Sequence, residues 1–163
     1  MEIKDIKAVY FVGAGGIGMS AIARYFLKKG LTVAGYDKTP SELTHELEKE
    51  GMLIHYEENV ELIPSACKDA KNTLVIYTPA IPATHQELVY FQQNEFTIEK
   101  RAQVLGTLTR THKGLCVAGT HGKTSTSTMC AHITRVISTA THSSEAFQRT
   151  MEPTTSCPTR ATM

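Results

Sequence analysis

The sequence predicts an α/β protein in which a parallel sheet carries helices on both faces. Short apolar runs alternate with longer periodic segments from residue 8 to about residue 133. Repeated alternation of strand and helix is typical of parallel sheets, because each crossover places a helix against a sheet face. Two glycine-rich turns, at 13–18 and 119–124, each lie between a predicted strand and a predicted helix. No internal repeat competes with this interpretation.

The individual elements follow from local signals, taken in chain order. The predicted strands are residues 8–12, 31–36, 53–56, 73–77, 96–99 and 115–118. The predicted helices are residues 19–29, 41–50, 85–93, 102–111 and a last helix that begins near Lys123. Ser41 is a typical helix cap, and Gly30 and Gly51 each follow a helix at the position where glycine ends one. The two prolines of the stretch 79–82 exclude a helix interior and predict a loop.

Composition and charge exclude several classes of protein. Hydrophobic residues make up 41% of the chain, enough to bury a core, and the net charge of +1 argues against binding to nucleic acid. The four cysteines form no C-x-x-C pair, which predicts no zinc site and a reduced, cytoplasmic compartment. No run of 18 apolar residues and no apolar leader occurs, so we expect neither a membrane span nor a signal peptide.

The last thirty residues differ in character from the rest. Residues 134–163 contain eight threonines, four serines and two prolines without helical or strand periodicity. Such a segment buries too little apolar surface to offset its ordering entropy, so we predict a disordered tail. From Ala140 onward, a shifted reading frame can encode a sequence that continues the family resemblance described below. Our hypothesis is therefore an out-of-frame peptide that begins just after Ile133.

The first glycine-rich turn predicts a diphosphate site. Gly13-Ala-Gly15-Gly-Ile-Gly18 is a G-x-G-x-x-G motif directly between a strand and a helix. Gly13 permits a tight turn, Gly15 lets a diphosphate approach the backbone, and Gly18 lets the helix pack on the sheet. Asp37 follows Gly18 by about 20 residues, where a carboxylate can accept hydrogen bonds from ribose hydroxyls. This context indicates a Rossmann-like domain.

The second glycine-rich turn predicts a nucleoside triphosphate site. Gly119-Thr-His-Gly122-Lys123-Thr124 stands before a predicted helix. In such loops the backbone N–H groups surround phosphates, the lysine reaches the terminal phosphates and the hydroxyl coordinates magnesium. The strict G-x-x-x-x-G-K-[ST] pattern fails because Val117 stands in place of its first glycine. Together the loops indicate two nucleotides, and they leave open an NAD(P)-binding Rossmann oxidoreductase or another P-loop nucleotide-binding protein.

Three segments resemble the bacterial Mur ligases. They are Phe11-Val-Gly-Ala-Gly-Gly-Ile-Gly-Met-Ser20, Arg101-Ala-Gln-Val-Leu105 and Ala118-Gly-Thr-His-Gly-Lys-Thr124. The resemblance covers residues 1 to about 133. It implies a Rossmann-like domain over residues 1–107 that holds a UDP-sugar rather than NAD. It also implies that residues 108–133 are the truncated start of a P-loop ATP-binding domain.

The resemblance assigns roles to residues at both loops. The residues it places at the UDP-sugar are Gly13, Gly15, Gly16, Ile17, Gly18, Asp37, Thr78, Pro79 and Ala80. Asp37 would lie near the uridine, and Gly15 to Gly18 would face the diphosphate. The residues it places at ATP are Gly119, Thr120, His121, Gly122, Lys123, Thr124 and Ser125. Lys123 would hold the β- and γ-phosphates, and Thr124 would coordinate Mg²⁺.

The implied chemistry is an ATP-dependent ligation in peptidoglycan synthesis. ATP would activate the carboxyl group of UDP-N-acetylmuramate as an acyl phosphate, which the amine of L-alanine then attacks. The acidic magnesium ligand and the groups that position L-alanine in such ligases lie beyond residue 133, so we expect the chain itself to be inactive.

Four other histidines and one cysteine have simpler interpretations. His45, His55, His85 and His112 stand in polar surroundings and are predicted to be solvated. Cys116, within a predicted buried strand, is predicted to be a small core residue.

Overall fold

The computed structural model describes residues 6–110 and 114–137. The chain divides into two compact units, residues 1–116 and residues 117–163. The strands are β1 (Ala8–Val12), β2 (Thr32–Tyr36), β3 (Leu53–His55), β4 (Thr73–Tyr77) and β5 (Thr97–Lys100). The helices are α1 (Ile17–Lys28), α2 (Glu42–Lys49), α3 (Gln86–Gln93), α4 (Arg101–Arg110) and α5 (Lys123–Ile137). Two single 3-10 turns, Val60–Leu62 and Ser65–Cys67, lie between β3 and β4.

The five strands form one parallel sheet in the order β3-β2-β1-β4-β5. The chain therefore starts in the middle of the sheet, fills one side with β2 and β3, and then crosses to the other side with β4 and β5. This change of direction puts a crevice at the carboxyl ends of β1 and β4, the place where open α/β sheets bind ligands. The predicted α/β class and parallel sheet are confirmed.

Alternating residues of β1 supply both halves of the hydrophobic core. Val9 and Phe11 face one side, where they join a cluster with α1 and α4. Tyr10 and Val12 face the other side, where they join a cluster with α3. All five residues of β1 are buried, because helices cover both faces of the central strand.

Ser41 caps α2 as predicted. Its backbone is extended, its hydroxyl accepts a hydrogen bond from the Thr44 amide at 3.2 Å, and the Thr44 hydroxyl accepts one from the Ser41 amide at 2.8 Å. The reciprocal pair satisfies two backbone donors that the first turn would otherwise leave without a partner.

Replacing Ser41 with alanine is expected to lower the free energy of unfolding of the first unit by about 1 kcal/mol. The substitution removes the acceptor for the Thr44 amide and leaves the buried side of α2 unchanged. Urea unfolding followed by circular dichroism measures the difference. Ser41→Asn is the matched control, because asparagine also caps helices, and it should unfold within about 0.3 kcal/mol of the parent. If Ser41→Ala and the parent unfolded at the same urea concentration, the stabilising role of the Ser41 cap would be contradicted.

The prediction of a strand at 115–118 is wrong. Residues 114–119 form no regular element, the Leu115 side chain is 75% exposed, and Cys116 is exposed rather than a core residue. A strand needs a neighbour for its backbone hydrogen bonds, and the described residues provide no strand after β5.

The end of the described chain differs slightly from the prediction. Helix α5 continues to Ile137 and so includes the first four residues of the predicted disordered tail. Residues 138–163, to which the rest of that prediction and the reading-frame hypothesis apply, lie outside the described residues, as does His112. No helix in the described part of the chain is long and apolar enough to cross a membrane.

Candidate functional site

The first glycine loop connects β1 to α1 in a conformation that requires glycine. Gly13 has a φ of +92°, in the left-handed region. A β-carbon at Gly13 would also lie 2.7 Å from Cγ2 of Thr78, at the end of the neighbouring strand β4. The loop therefore turns sharply against the carboxyl edge of the sheet.

Asp37 holds this loop from the end of β2. The Gly15 amide donates to Oδ2 of Asp37 at 2.6 Å, and the Thr39 amide donates to Oδ1 at 3.1 Å. A β-carbon at Gly15 would lie 2.9 Å from Oδ2 of Asp37 and 3.2 Å from Cγ2 of Thr44. The backbone of Gly15 is thus packed closely against the carboxylate that fixes it.

The loop leads into the N-terminus of a twelve-residue helix. Gly16 is the N-cap of α1, no side chain caps the helix, and no acidic residue occupies its first turn. The first amides of a helix and its dipole favour an anion at this end. The geometry suits the phosphate site that the motif predicts.

Arg101 adds a positive charge to the same end of α1. A β-carbon at Gly18 would overlap Nη1 of Arg101 and lie 2.9 Å from its Cζ, so the guanidinium packs directly on the Gly18 backbone. Gly18 therefore provides room for the first side chain of α4 as well as for helix packing. Sequence reasoning gave Arg101 no role of its own.

A cleft of about 500 Å³ opens beside the loop at the carboxyl edge of the sheet. Five of the predicted UDP-sugar residues line it: Gly13, Gly16, Asp37, Thr78 and Ala80. The other four are not part of its wall: Gly15, Ile17, Gly18 and Pro79. The wall also contains seven residues that sequence reasoning did not select: Met19, Tyr36, Lys38, Glu58, Ile81, Pro82 and His85.

His85 is buried in the cleft wall, and the prediction that it is solvated is wrong. It is 3% exposed, and neither ring nitrogen has a hydrogen-bond partner. Its ring lies 4.6 Å from the ring of Tyr36, and its Nε2 lies 3.9 Å from Oε2 of Glu58. Burial lowers the pKa of His85, so the imidazole favours its neutral form.

A buried polar cluster of Tyr10, His55 and Glu87 lies behind this wall. The Tyr10 hydroxyl donates to Oε2 of Glu87 at 2.7 Å and lies 2.7 Å from Nε2 of His55. Glu87 is completely buried, and its burial raises the pKa of its carboxyl group to about 7. Burial lowers the pKa of His55, whose side chain is 14% exposed, so the prediction of a solvated His55 is also wrong. His45 is exposed, as predicted.

A local signal for this cluster is present in the sequence. Tyr10 stands in the middle of an apolar strand, where a buried hydroxyl needs a partner, and Glu87 follows the start of a helix on its apolar side. Neither signal identifies the other residue, because 77 positions separate them in the chain.

The second loop, in the second unit, also uses glycine in the left-handed region. Gly119 has a φ of +152° and Gly122 one of +74°. Nζ of Lys123 donates to the carbonyl oxygens of Gly119 and Thr120 at 2.7 and 3.2 Å, so the ammonium group lies over the loop. Helix α5 begins at Lys123, where its first amides are available to an anion.

The remaining predicted ATP residues lie around this turn. Nδ1 of His121 is 3.2 Å from Oγ1 of Thr120, and both side chains are exposed. Thr124 and Ser125 occupy the first turn of α5 and are exposed. Within residues 6–110 and 114–137, no group of three His, Cys, Asp or Glu side chains is placed to hold a metal ion.

A parallel sheet in the order β3-β2-β1-β4-β5, with a glycine loop at a helix N-terminus, defines the first unit as an α/β domain of the Rossmann-like class. The model of the Mur ligase family, catalytic domain, matches residues 8–113, and the chain belongs to this family. It is 64% identical over 133 residues to the UDP-N-acetylmuramate–L-alanine ligase of Phocaeicola vulgatus and 63% identical over 133 residues to that of Parabacteroides distasonis. Each alignment covers 82% of this chain and 29% of the relative.

Solved structures agree with this assignment. The structure of UDP-N-acetylmuramate-alanine ligase from Thermotoga maritima is similar with a TM-score of 0.69 and 34% identity, over 80% of this chain and 29% of that one. A murein peptide ligase from Psychrobacter arcticus gives a TM-score of 0.70 and 25% identity, over 80% and 27% of the two chains. This chain thus spans about three tenths of the length of its relatives.

Proposed function

We propose that the first unit is the UDP-N-acetylmuramate-binding domain of an ATP-dependent ligase that adds L-alanine in peptidoglycan synthesis. The observation that carries the proposal is the loop of Gly13 to Gly18, which places a helix N-terminus without an acidic residue beside a cleft of about 500 Å³. The similarity to two alanine-adding ligases, at 64% and 63% identity, supports the choice of substrate.

The geometry supports distinct roles along the cleft. We assign the diphosphate to the turn that contains Gly15, Gly16, Ile17 and Gly18, where the helix dipole stabilises negative charge. Asp37 lines the cleft while accepting two backbone hydrogen bonds, so its carboxylate is held in place beside the uridine.

The loop after β4 would form the opposite side of the UDP-sugar site. Thr78 contacts the Gly13 turn, and Ala80 lines the cleft. Pro79 lies between them and restricts the backbone of the loop. We expect this loop to flank the sugar nucleotide rather than to take part in chemistry.

We propose that the second loop binds the phosphates of ATP. The two glycines in left-handed conformations and the helix start fit a phosphate group, and Lys123 Nζ now occupies the position above the loop. Gly119, Thr120, His121, Gly122 and Ser125 would surround the phosphates. Lys123 would hold the β- and γ-phosphates, and Thr124 would be a ligand of Mg²⁺.

When bound, ATP–Mg²⁺ would supply the phosphoryl group that activates the muramate carboxyl as an acyl phosphate for attack by L-alanine. The contribution of this chain would be to bind and orient the sugar nucleotide and to neutralise phosphate charge through Lys123. We propose residues 1–107 as the UDP-sugar domain, residues 108–133 as the start of the P-loop ATP-binding domain, and residues 134–163 as a tail outside both.

The chain of 163 residues is expected to bind UDP-N-acetylmuramate without ligase turnover. At 100 times its dissociation constant a ligand stabilises the folded state by about 2.7 kcal/mol, which should raise Tm by roughly 10 °C or more for a domain of this size. Thermal unfolding with UDP-N-acetylmuramate, NAD or ATP–Mg²⁺ measures the effect for each nucleotide. Stabilisation by NAD alone would contradict the proposal and favour an oxidoreductase.

Turnover is measured by phosphate release with UDP-N-acetylmuramate, L-alanine, ATP and Mg²⁺ together. We expect none, because this chain aligns with only 29% of the length of its alanine-adding relatives. Lys123→Ala is the control for any background ATP hydrolysis. Release that requires all three substrates and disappears in Lys123→Ala would show that the chain is catalytically complete, contrary to this expectation.

A further inference from the structure

The cluster of Tyr10, His55 and Glu87 connects three elements of the sheet domain behind the cleft wall. Tyr10 lies in β1, His55 ends β3, and Glu87 stands in the first turn of α3. Two further contacts join the chain after β3 to the start of α3. The Asn59 amide donates to Oε1 of Glu87 at 3.3 Å, and the Gln86 amide donates to Oε1 of Glu58 at 2.7 Å.

The hydrogen bonds of the cluster restrict where its protons can be. Nδ1 of His55 lies 2.8 Å from the carbonyl oxygen of Glu57, which can only accept, so Nδ1 carries a hydrogen. The Tyr10 hydroxyl has one hydrogen and two neighbours at 2.7 Å, Nε2 of His55 and Oε2 of Glu87. It donates to one neighbour and must accept from the other.

Two arrangements satisfy every one of these atoms. In the first, Nε2–H of His55 donates to Tyr10, and Tyr10 donates to the Glu87 carboxylate. In the second, a protonated Glu87 donates to Tyr10, and Tyr10 donates to the unprotonated Nε2 of His55. The two arrangements have the same net charge and differ only in the position of one proton on either side of the Tyr10 hydroxyl.

We propose that His55 and Glu87 share a single proton through Tyr10, and that this proton fixes the start of α3 and with it the cleft wall formed by Glu58 and His85. Tyr10, His55 and Glu87 are therefore positioning residues for the site rather than ligands of it. The part of the inference that concerns ligand affinity rests on the proposed function of the cleft.

Loss of the shared proton removes one of the three bonds. When Glu87 is a carboxylate and His55 is neutral, only two hydrogens remain, one on Tyr10 and one on the His55 ring. Three acceptors need a hydrogen: the Glu87 carboxylate, the Tyr10 oxygen and the Glu57 carbonyl. Two acceptors then face each other at hydrogen-bond distance, which is unfavourable in a buried site. We expect the start of α3 to move away from the sheet until that contact lengthens.

Several ionisable groups surround the cluster and set the pH at which this happens. They are Tyr36 from β2, Glu57 and Glu58 after β3, Cys67 from the second 3-10 turn, and His85 at the N-cap of α3. Burial raises the pKa of Glu87 to about 7; the hydrogen bonds from Tyr10 and the Asn59 amide lower it in part, and the charge of Glu58 adds to the increase. The folded state therefore retains this proton at low pH, and the stabilisation that it provides is lost as pH rises through about 7.

The test is a pH titration of the ligand-free chain by NMR. Labelled carboxyl carbon reports Glu87, labelled ring nitrogen reports His55 and His85, and the backbone amide reports Gln86. We expect the carboxyl carbon of Glu87 to titrate near pH 7. Nδ1 of His55 should carry its hydrogen up to that pH. The signals of His85 and Gln86 should change with the same midpoint. Titration of Glu87 near its ordinary value of 4.5, or His85 and Gln86 signals that do not follow it, would overturn the proposal.

Two substitutions separate proton sharing from simple packing. Glu87→Gln places an amide N–H where the carboxyl O–H donates to Tyr10. The signals of His85 and Gln86 should then no longer change near pH 7. They should keep the chemical shifts that the parent shows at low pH. Glu87→Leu removes both the donor and the acceptor at this position, so the signals of His85 and Gln86 should lose the change near pH 7 and should differ from those of Glu87→Gln. Glu61→Gln, at an exposed position nearby, is the control and should titrate like the parent. An unchanged His85 midpoint in Glu87→Gln would overturn the proposal.

Ligand binding provides a separate measurement. Affinity for UDP-N-acetylmuramate should fall about fivefold between pH 6 and pH 8 in the parent, the effect of one net hydrogen bond, and should stay constant in Glu87→Gln. Equal pH dependence in both proteins would show that the proton does not position the cleft wall. Absence of binding at every pH would contradict the proposed function, whereas the NMR titration would still decide whether the proton is shared.

Discussion

Replacing Gly15 with valine is expected to abolish detectable binding of UDP-N-acetylmuramate to the cleft. The first added atom would lie 2.9 Å from Oδ2 of Asp37 and 3.2 Å from Cγ2 of Thr44. Asp37 cannot move aside without losing the 2.6 Å bond from the Gly15 amide, which fixes the loop. The two remaining methyl groups of valine then occupy space that a diphosphate needs to approach the backbone.

The expected loss has two parts. A hydrogen bond to a charged group contributes about 1.5–3 kcal/mol, and displacement of the loop also misdirects the first amides of α1. Together they should reduce affinity by more than about 100-fold. Isothermal titration calorimetry with UDP-N-acetylmuramate measures the change, and circular dichroism verifies that the domain is folded.

Gly16→Ala is the matched control for the same loop. Gly16 has φ −73° and ψ 142°, a conformation open to any residue, and its β-carbon would meet only Cγ of Met19 at 3.8 Å. Alanine at Gly16 should therefore keep the Tm of the parent within about 2 °C and lose much less affinity than valine at Gly15. If Gly15→Val bound the sugar nucleotide as tightly as the parent, the assignment of the diphosphate to this loop would be wrong.

The first sheet was predictable from the sequence because each of its elements has a local signal. β1 and β4 are short apolar runs, and they occupy the predicted residues 8–12 and 73–77. The Ser41 cap and Gly51 bound α2 as predicted, and Gly30 follows α1. Helix α1 begins two residues before the predicted start, because Gly16 itself is the N-cap and Gly18 is inside the first turn.

The site was only partly predictable because much of it depends on contacts between distant residues. The glycine loop is contiguous in sequence, so its spacing identified it. His85 and Glu87 look like polar helix-start residues, and their burial follows from packing against Tyr36 and Tyr10 from other strands. The same limitation explains the wrong prediction of a strand at 115–118. An apolar run is present there, but the described residues provide no neighbouring strand for it.

Replacing Gly35 with alanine is expected to produce the largest loss of stability of any single methyl addition to the sheet. Gly35 lies in the middle of β2 and pairs with Phe11 of β1. A β-carbon there would lie 2.6 Å from the carbonyl oxygen of Phe11, 2.9 Å from its Cβ and 3.0 Å from Cε of Met52. Two of these atoms belong to the central strand, which packs against helices on both faces and cannot shift alone.

We expect Gly35→Ala to lower the free energy of unfolding by about 2–3 kcal/mol, as overpacking of a buried site does, and Tm by roughly 10–20 °C. Gly106→Ala adds the same methyl group to α4 with no atom within 4 Å, and it should raise stability by up to about 1 kcal/mol because alanine favours helix. Thermal and urea unfolding of both variants beside the parent measures the contrast. A Gly35→Ala protein that melts within about 2 °C of the parent would show that β1 and β2 can separate to admit the methyl group, and that the close approach at Gly35 is not required by the fold.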